Sequence, residues 1–171
     1  MNKQDIQTLF TYNLWANTRI LDTVAQATPE QFIAPAHFPH GGLRTTLTHI
    51  LFAEWIWRTR WTGETPKKSF KPEDFPTFEF LLNRWHKEDK KLLQFVNELD
   101  NEKLQETFQY KSTEGINYEN ILWHAMVHVV NHGTQHRSEA AAILTDMGMS
   151  PGDLDMIVFL RKKTNAQQTK K

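Results

Sequence analysis

Four of the eight histidines in this 171-residue chain, His124, His128, His132 and His136, recur at every fourth position. On an α-helix each step of four turns by about 400°, so successive members stack on one face and drift by about 40°. An i, i+4 pair of imidazoles can aim two ring nitrogens at one divalent ion, about 2.0–2.1 Å from each. The helical rise limits sharing: His128 and His136 are about 12 Å apart along the axis. One ion therefore takes a single adjacent pair, and spacing alone does not choose which. The competing reading is a polar helix face bonded to its neighbours. Opposite Ile121, Leu122, Ala125, Met126 and Val129, four imidazoles in register would then need partners for every ring nitrogen, and a metal satisfies several at once.

A third ligand must come from another element. His49 stands in the middle of a second strongly apolar helix, where the alternative is a core histidine bonded to a carbonyl. His86, among Lys87, Glu88, Asp89, Lys90 and Lys91, is read as part of a solvated face. His37 and His40 fall in a loop from which they could reach the mouth of a site, although surface placement is the plainer reading. Glu54 is an odd residue on an apolar stripe, about 140° round the helix from His49. It joins His128 as a candidate acid–base group, although a solvated or salt-bridged glutamate is the plainer reading.

These side chains require helices to position them. Ile6, Leu9, Phe10, Leu14, Ile20, Leu21 and Val24 carry the three-and-four spacing of a first helix. Thr28-Pro29-Glu30-Gln31 supplies a capping residue, a first-turn proline and a capping-box glutamine for a short turn bearing Phe32. A second long helix is expected from Leu43 to Trp61 and a third from Thr77 to Leu99, joined by a crossing segment, Lys67 to Pro76. Between Leu104 and Tyr118 residues alternate around a Glu114-Gly115 turn, which predicts one or two short strands. A fourth helix is expected from Tyr118 to Met147 and a short last one from Ser150 to Lys162. The expected fold is all-α, a four-helix bundle with a short C-terminal helix and room for a strand pair before helix four. One domain covers 1–163, with a polar, disordered tail at 164–171.

Composition narrows the function. Twenty basic and twenty acidic residues cancel, so no net field draws nucleic acid or an acidic membrane. The basic residues Arg161, Lys162, Lys163, Lys170 and Lys171 read as a solvated terminus. No stretch approaches the ~18 apolar residues of a membrane span, and the N-terminus lacks the build of a signal peptide, so a cytoplasmic protein is expected. The absence of cysteine excludes disulfides, thiolate ligands and a cysteine nucleophile. Glycine-rich phosphate loops, serine-hydrolase elbows and paired Glu-x-x-His motifs are absent as well.

Three strings together, Tyr12-Asn13-Leu14-Trp15-Ala16-Asn17, Leu47-Thr48-His49-Ile50 and the segment from His128 through Asn131-His132-Gly133-Thr134-Gln135-His136-Arg137, resemble the DinB-like metalloenzyme family over roughly residues 5–160. His-Gly-x-x-His-Arg is the most specific part. The resemblance implies an antiparallel bundle, frequently a homodimer, whose metal ligands would be His49, His132 and His136. Zinc or nickel is the expected ion, with iron, copper or manganese as alternatives. Ser138 departs from the glycine common after the family's His-Arg pair, which touches local packing only. His124 and His128 would precede the site by two turns and one, without assigned roles, and Arg137 is read as a contact for an anionic substrate group or, more plainly, as a surface salt bridge.

The resemblance further points to thiol S-transferases acting in detoxification or stress response, which join a small thiol such as bacillithiol, mycothiol or glutathione to an electrophile. Two rivals stand beside it: a metal-dependent hydrolase or isomerase, and a non-catalytic metal-binding bundle.

Overall fold

The computed structural model describes residues 1–66 and 68–168. The chain forms α1 (Lys3–Val24), α2 (Pro29–Ile33), α3 (Leu43–Trp61), α4 (Phe78–Glu98), α5 (Asn101–Gln105), β1 (Thr107–Lys111), β2 (Asn117–Ile121), α6 (Leu122–Asp146) and α7 (Met156–Gln168). Local signals set several starts. Asn2 and Asp5 exchange side-chain-to-backbone hydrogen bonds of 3.0 Å each at the head of α1. Thr28 and Gln31 do the same for α2, with Pro29 in the first turn.

The four long helices pack into a bundle in which α6 contacts α1 and α3, and α4 contacts the same two. Two apolar layers fill it. One gathers Ile6, Phe10, Trp61, Val96 and Met126; the other gathers Ile20, Leu47, Leu81, Trp85 and Ile143. These groupings fix the helix directions. Residues early in α1 meet residues late in α4, as when Lys3 Nζ donates to the Asn97 carbonyl at 2.9 Å, so that pair is antiparallel. His49 faces His132 while Trp57 faces His128, so α3 and α6 are antiparallel too. By contrast α3 and α4 run the same way, because the crossing segment returns the chain to the end where α3 began. A 3-10 turn at Pro72–Asp74 and Phe70, stacked on Trp55 at 4.6 Å, anchor that segment along α3. Lys67 within it lies outside the described residues, as do Lys170 and Lys171.

Three boundaries differ from expectation. The fourth long helix begins at Leu122, because Asn117–Ile121 pairs antiparallel with β1 in the register Tyr110↔Tyr118, and those two rings stack at 5.8 Å. α5 was hidden in the sequence, although Asp100 caps it by accepting from the Lys103 backbone N–H at 2.7 Å. The last helix starts at Met156: the carbonyls of Pro151 and Leu154 accept from Arg19 and the Tyr12 hydroxyl, which pins this stretch against α1. That helix continues to Gln168, so the tail expected at 164–171 is helical backbone as far as 168, and 169–171 lie outside the described residues. Among the described residues, no helix is long and apolar enough to cross a membrane.

Candidate metal centre

α3 and α6 bring histidines together from sequence positions far apart. The Nε2 atoms of His49 and His132 are 3.0 Å apart. The His136 ring centroid lies 4.6 Å from that of His49 and 4.4 Å from that of His132. All three histidines singled out by resemblance therefore sit in one cluster. Two nitrogens bound to a common ion at a tetrahedral angle would be about 3.4 Å apart, close to the His49–His132 separation.

His40 joins them, which corrects its reading as a surface residue. Its ring stacks on His49 at 4.1 Å and meets His136 edge-on at 4.6 Å. One ring nitrogen from each of His40, His49 and His136 lies within 4.8 Å of the others, so this trio can hold a metal ion. The loop before α3 delivers His40 by folding back on itself. A Cβ at Gly42 would come within 1.9 Å of the Ala34 carbonyl oxygen, and Gly41 has φ 79°. Only glycine permits that approach, whereas His37 is exposed.

Burial lowers the pKa of His49 to about 4, aided by His40 and His136 nearby. Burial likewise lowers His132 to about 3, with His136 and His49 contributing. Both rings are then neutral at pH 7, the form in which imidazole binds metals. His136 is only 4% exposed, and its Nδ1 is 3.0 Å from Glu139 Oε2. A neutral His136 that donates from Nδ1 keeps the lone pair on Nε2, the carboxylate–histidine arrangement that orients metal ligands. Glu139 went unnoticed in the sequence, although its place three residues after His136 put it on the same helix face.

A cavity of about 280 Å³ opens beside the cluster, lined by His49, His132, His128, Trp57, Tyr110 and Arg60 among others. His128 is exposed, lies 5.8 Å from the His132 ring and has a pKa lowered by burial of part of its ring. His124 is exposed farther along, in an adjoining cavity of about 280 Å³ that shares Trp57, Tyr110 and His128. A larger hollow of about 530 Å³ lies over the hairpin and is lined by none of these histidines. His86 is exposed.

Beneath the cluster, two readings made from sequence are overturned. Glu54 and Arg137 are each 1% exposed, so neither is solvated. Glu54 Oε1 accepts from Asn13 Nδ2 at 2.6 Å and from Asn17 Nδ2 at 2.8 Å. Arg137 Nη1 donates to Asn13 Oδ1 at 2.6 Å and to Asn17 Oδ1 at 2.9 Å. The two asparagines thus relay a carboxylate to a guanidinium, and burial pushes the Glu54 pKa up. Gly133 makes the space: a Cβ there would meet Arg137 Nη1 at 2.6 Å and Asn13 Oδ1 at 2.9 Å. Glu88 is corrected likewise: it is fully buried, held by Arg58 and by Arg84 Nη1 at 3.2 Å.

The residues of the resembling strings thus have separate physical duties. Asn13, Asn17, Gly133 and Arg137 tie α1 to α6, while His49, His132 and His136 face one another above them. The DinB family model matches residues 1–170. "Protein DinB" of Bacillus subtilis (strain 168) is 23% identical over 170 residues, spanning 92% of this chain and 96% of its own. With a match that runs almost end to end, the chain belongs to the DinB family.

Proposed function

We propose that this protein is a metal-dependent thiol S-transferase serving detoxification or stress response, with His49, His132 and His136 as ligands of a zinc or nickel ion. The observation that carries the reading is the convergence on one point of imidazoles from α3 and α6, with burial keeping His49 and His132 neutral and His136 Nδ1 in contact with Glu139. His40 is the alternative third ligand. When bound, an ion of this class lowers the pKa of a thiol or water and so supplies a nucleophile at neutral pH.

The chain's own residues would do the rest. Trp57 and Tyr110 offer an apolar wall for the body of an electrophile and exclude water from one side of the cavity. The thiol sulfur forms the new bond to carbon, and the electron pair of the broken bond leaves with the departing group. The thiol proton goes to His128, which lines the cavity, and then to solvent; the low basicity of that ring favours its onward release. Glu54, enclosed with Asn13 and Asn17, takes no part in proton transfer on this reading. The balanced charge of the chain supports small-molecule substrates over nucleic acid. We further propose, on the family resemblance alone, that the protein is a homodimer, and we place it in the cytoplasm.

The test is a conjugation assay with bacillithiol, mycothiol and glutathione against 1-chloro-2,4-dinitrobenzene, run with metal-free and with zinc- or nickel-loaded protein. Turnover restored by the metal with one of the thiols is expected. Loaded protein that turns over none of them would overturn the transferase assignment while leaving the metal site standing.

A further inference from the structure

Arg60 is the one permanent positive charge among the described residues lining the cavity beside His49 and His132. It is 8% exposed, and its Nε is buried without a hydrogen-bond partner. Among the described residues its side chain forms neither a hydrogen bond nor an ion pair; its guanidinium carbon lies 5.0 Å from each of the Trp57 and Tyr110 ring centroids. The charge is partly withdrawn from water with no counter-ion, at a cost that ring faces offset only in part. Arg58 and Arg84 on the neighbouring surfaces have their carboxylate in Glu88, whereas Arg60, on the cavity wall, has none among the described residues.

We propose that Arg60 determines specificity by receiving the carboxylate of a small monoanionic substrate whose body lies against Trp57 and Tyr110 and whose other end reaches toward His49 and His132. The planar guanidinium fork matches a carboxylate with two hydrogen bonds. A single cation neutralises a single negative charge, so a doubly charged phosphate would keep one charge uncompensated. About three turns of α3, or about 16 Å of rise, separate Arg60 from His49, which calls for an elongated ligand. That the far end is a thiol rests on the transferase reading; the carboxylate site does not.

The experiment measures binding of 3-phenylpropionate and of 3-phenyl-1-propanol, which share one body, to the wild-type chain, Arg60→Met and Arg60→Lys by calorimetry. The wild type is expected to bind the acid about tenfold tighter than the alcohol or better, the range of a charge-assisted pair. Arg60→Met should bring the acid down to the alcohol's affinity with the alcohol unchanged, which also shows that the cavity remains intact. Arg60→Lys should keep part of the preference. Equal affinities or undetectable acid binding in the wild type, or a preference that survives in Arg60→Met, would overturn the proposal. A parallel titration of nickel-loaded protein with 3-mercaptopropionate and 1-propanethiol separates the two readings. Loss of metal-linked binding by both thiols, beside an intact acid preference, removes the thiol and leaves Arg60 in its role.

Discussion

The Nε2 atoms of His49 and His132 lie 3.0 Å apart although 83 positions separate the residues in the chain. Without an ion, one ring must donate an N–H to the other; with one, both lone pairs turn to the same point. His132→Ala should therefore reduce bound zinc or nickel from near one per chain to a small residue, measured by elemental analysis of untagged protein after dialysis. His40→Ala distinguishes the ligand sets. If His132 is the third ligand, His40→Ala retains near-stoichiometric metal, and if His40 is, the two variants exchange behaviour.

Glu139 acts on the site through His136 Nδ1 at 3.0 Å. Glu139→Gln removes the carboxylate charge but keeps a hydrogen-bonding side chain of similar size. Loss of a partner of this kind lowers metal affinity by about 10–100-fold. Competition with a chromophoric chelator reads that change, and the melting temperature of the metal-free variant should stay close to wild type. An unchanged affinity would mean that Glu139 only decorates the helix.

The Glu54, Asn13, Asn17 and Arg137 network should carry stability, and its two ends should respond unequally. Arg137→Met strands the Oδ1 atoms of both asparagines and removes the positive charge near Glu54, which keeps its bonds from the two amides, at a cost of about 3 kcal/mol. In Glu54→Gln the amide oxygen can still accept from both asparagines, so the loss should be under about 1.5 kcal/mol. Urea denaturation of the two variants checks the asymmetry, and equal losses would show that the relay is not what joins α1 to α6.

The legible part of this molecule was periodic. α3 came out with both of its expected ends, Leu43 and Trp61, because apolar spacing, Gly63 and Pro66 agree along one segment. The histidine ladder on α6 was visible for the same reason, a repeat of four on a helix. What escaped depends on tertiary contact. His40 looked like loop surface because nothing local reveals that Gly42 lets the backbone pass against Ala34. Glu54, Glu88 and Arg137 looked solvated because charge predicts exposure until partners appear, and their partners stand on other helices or a turn away. The start of α6 was misplaced because Asn117–Ile121 suits either state alone, and only pairing with Thr107–Lys111 decides it.

Asp89 gives a test of pH dependence away from the histidines. Burial, reinforced by the carboxylates of Glu54 and Glu88, pushes its pKa up from 3.8 to about 8. Between those values the folded chain holds a proton that the unfolded chain releases, so folding takes up a proton there. The sign follows from linkage: this contribution is fully present below the unfolded pKa and is lost as pH rises toward about 8. His49 and His132, lowered to about 4 and about 3, act in the opposite sense, and their stability is lost as pH falls below about 6.5. Asp89→Asn removes the first contribution and leaves the second. In metal-free protein, the difference in unfolding free energy between Asp89→Asn and wild type should therefore grow in the variant's favour from about pH 4 to about pH 8. Urea titrations at unit steps of pH give the difference curve directly, with the histidine contribution common to both proteins. Parallel curves would mean that Asp89 is ionised in the folded state and that the carboxylates between α3 and α4 repel one another less than their burial implies.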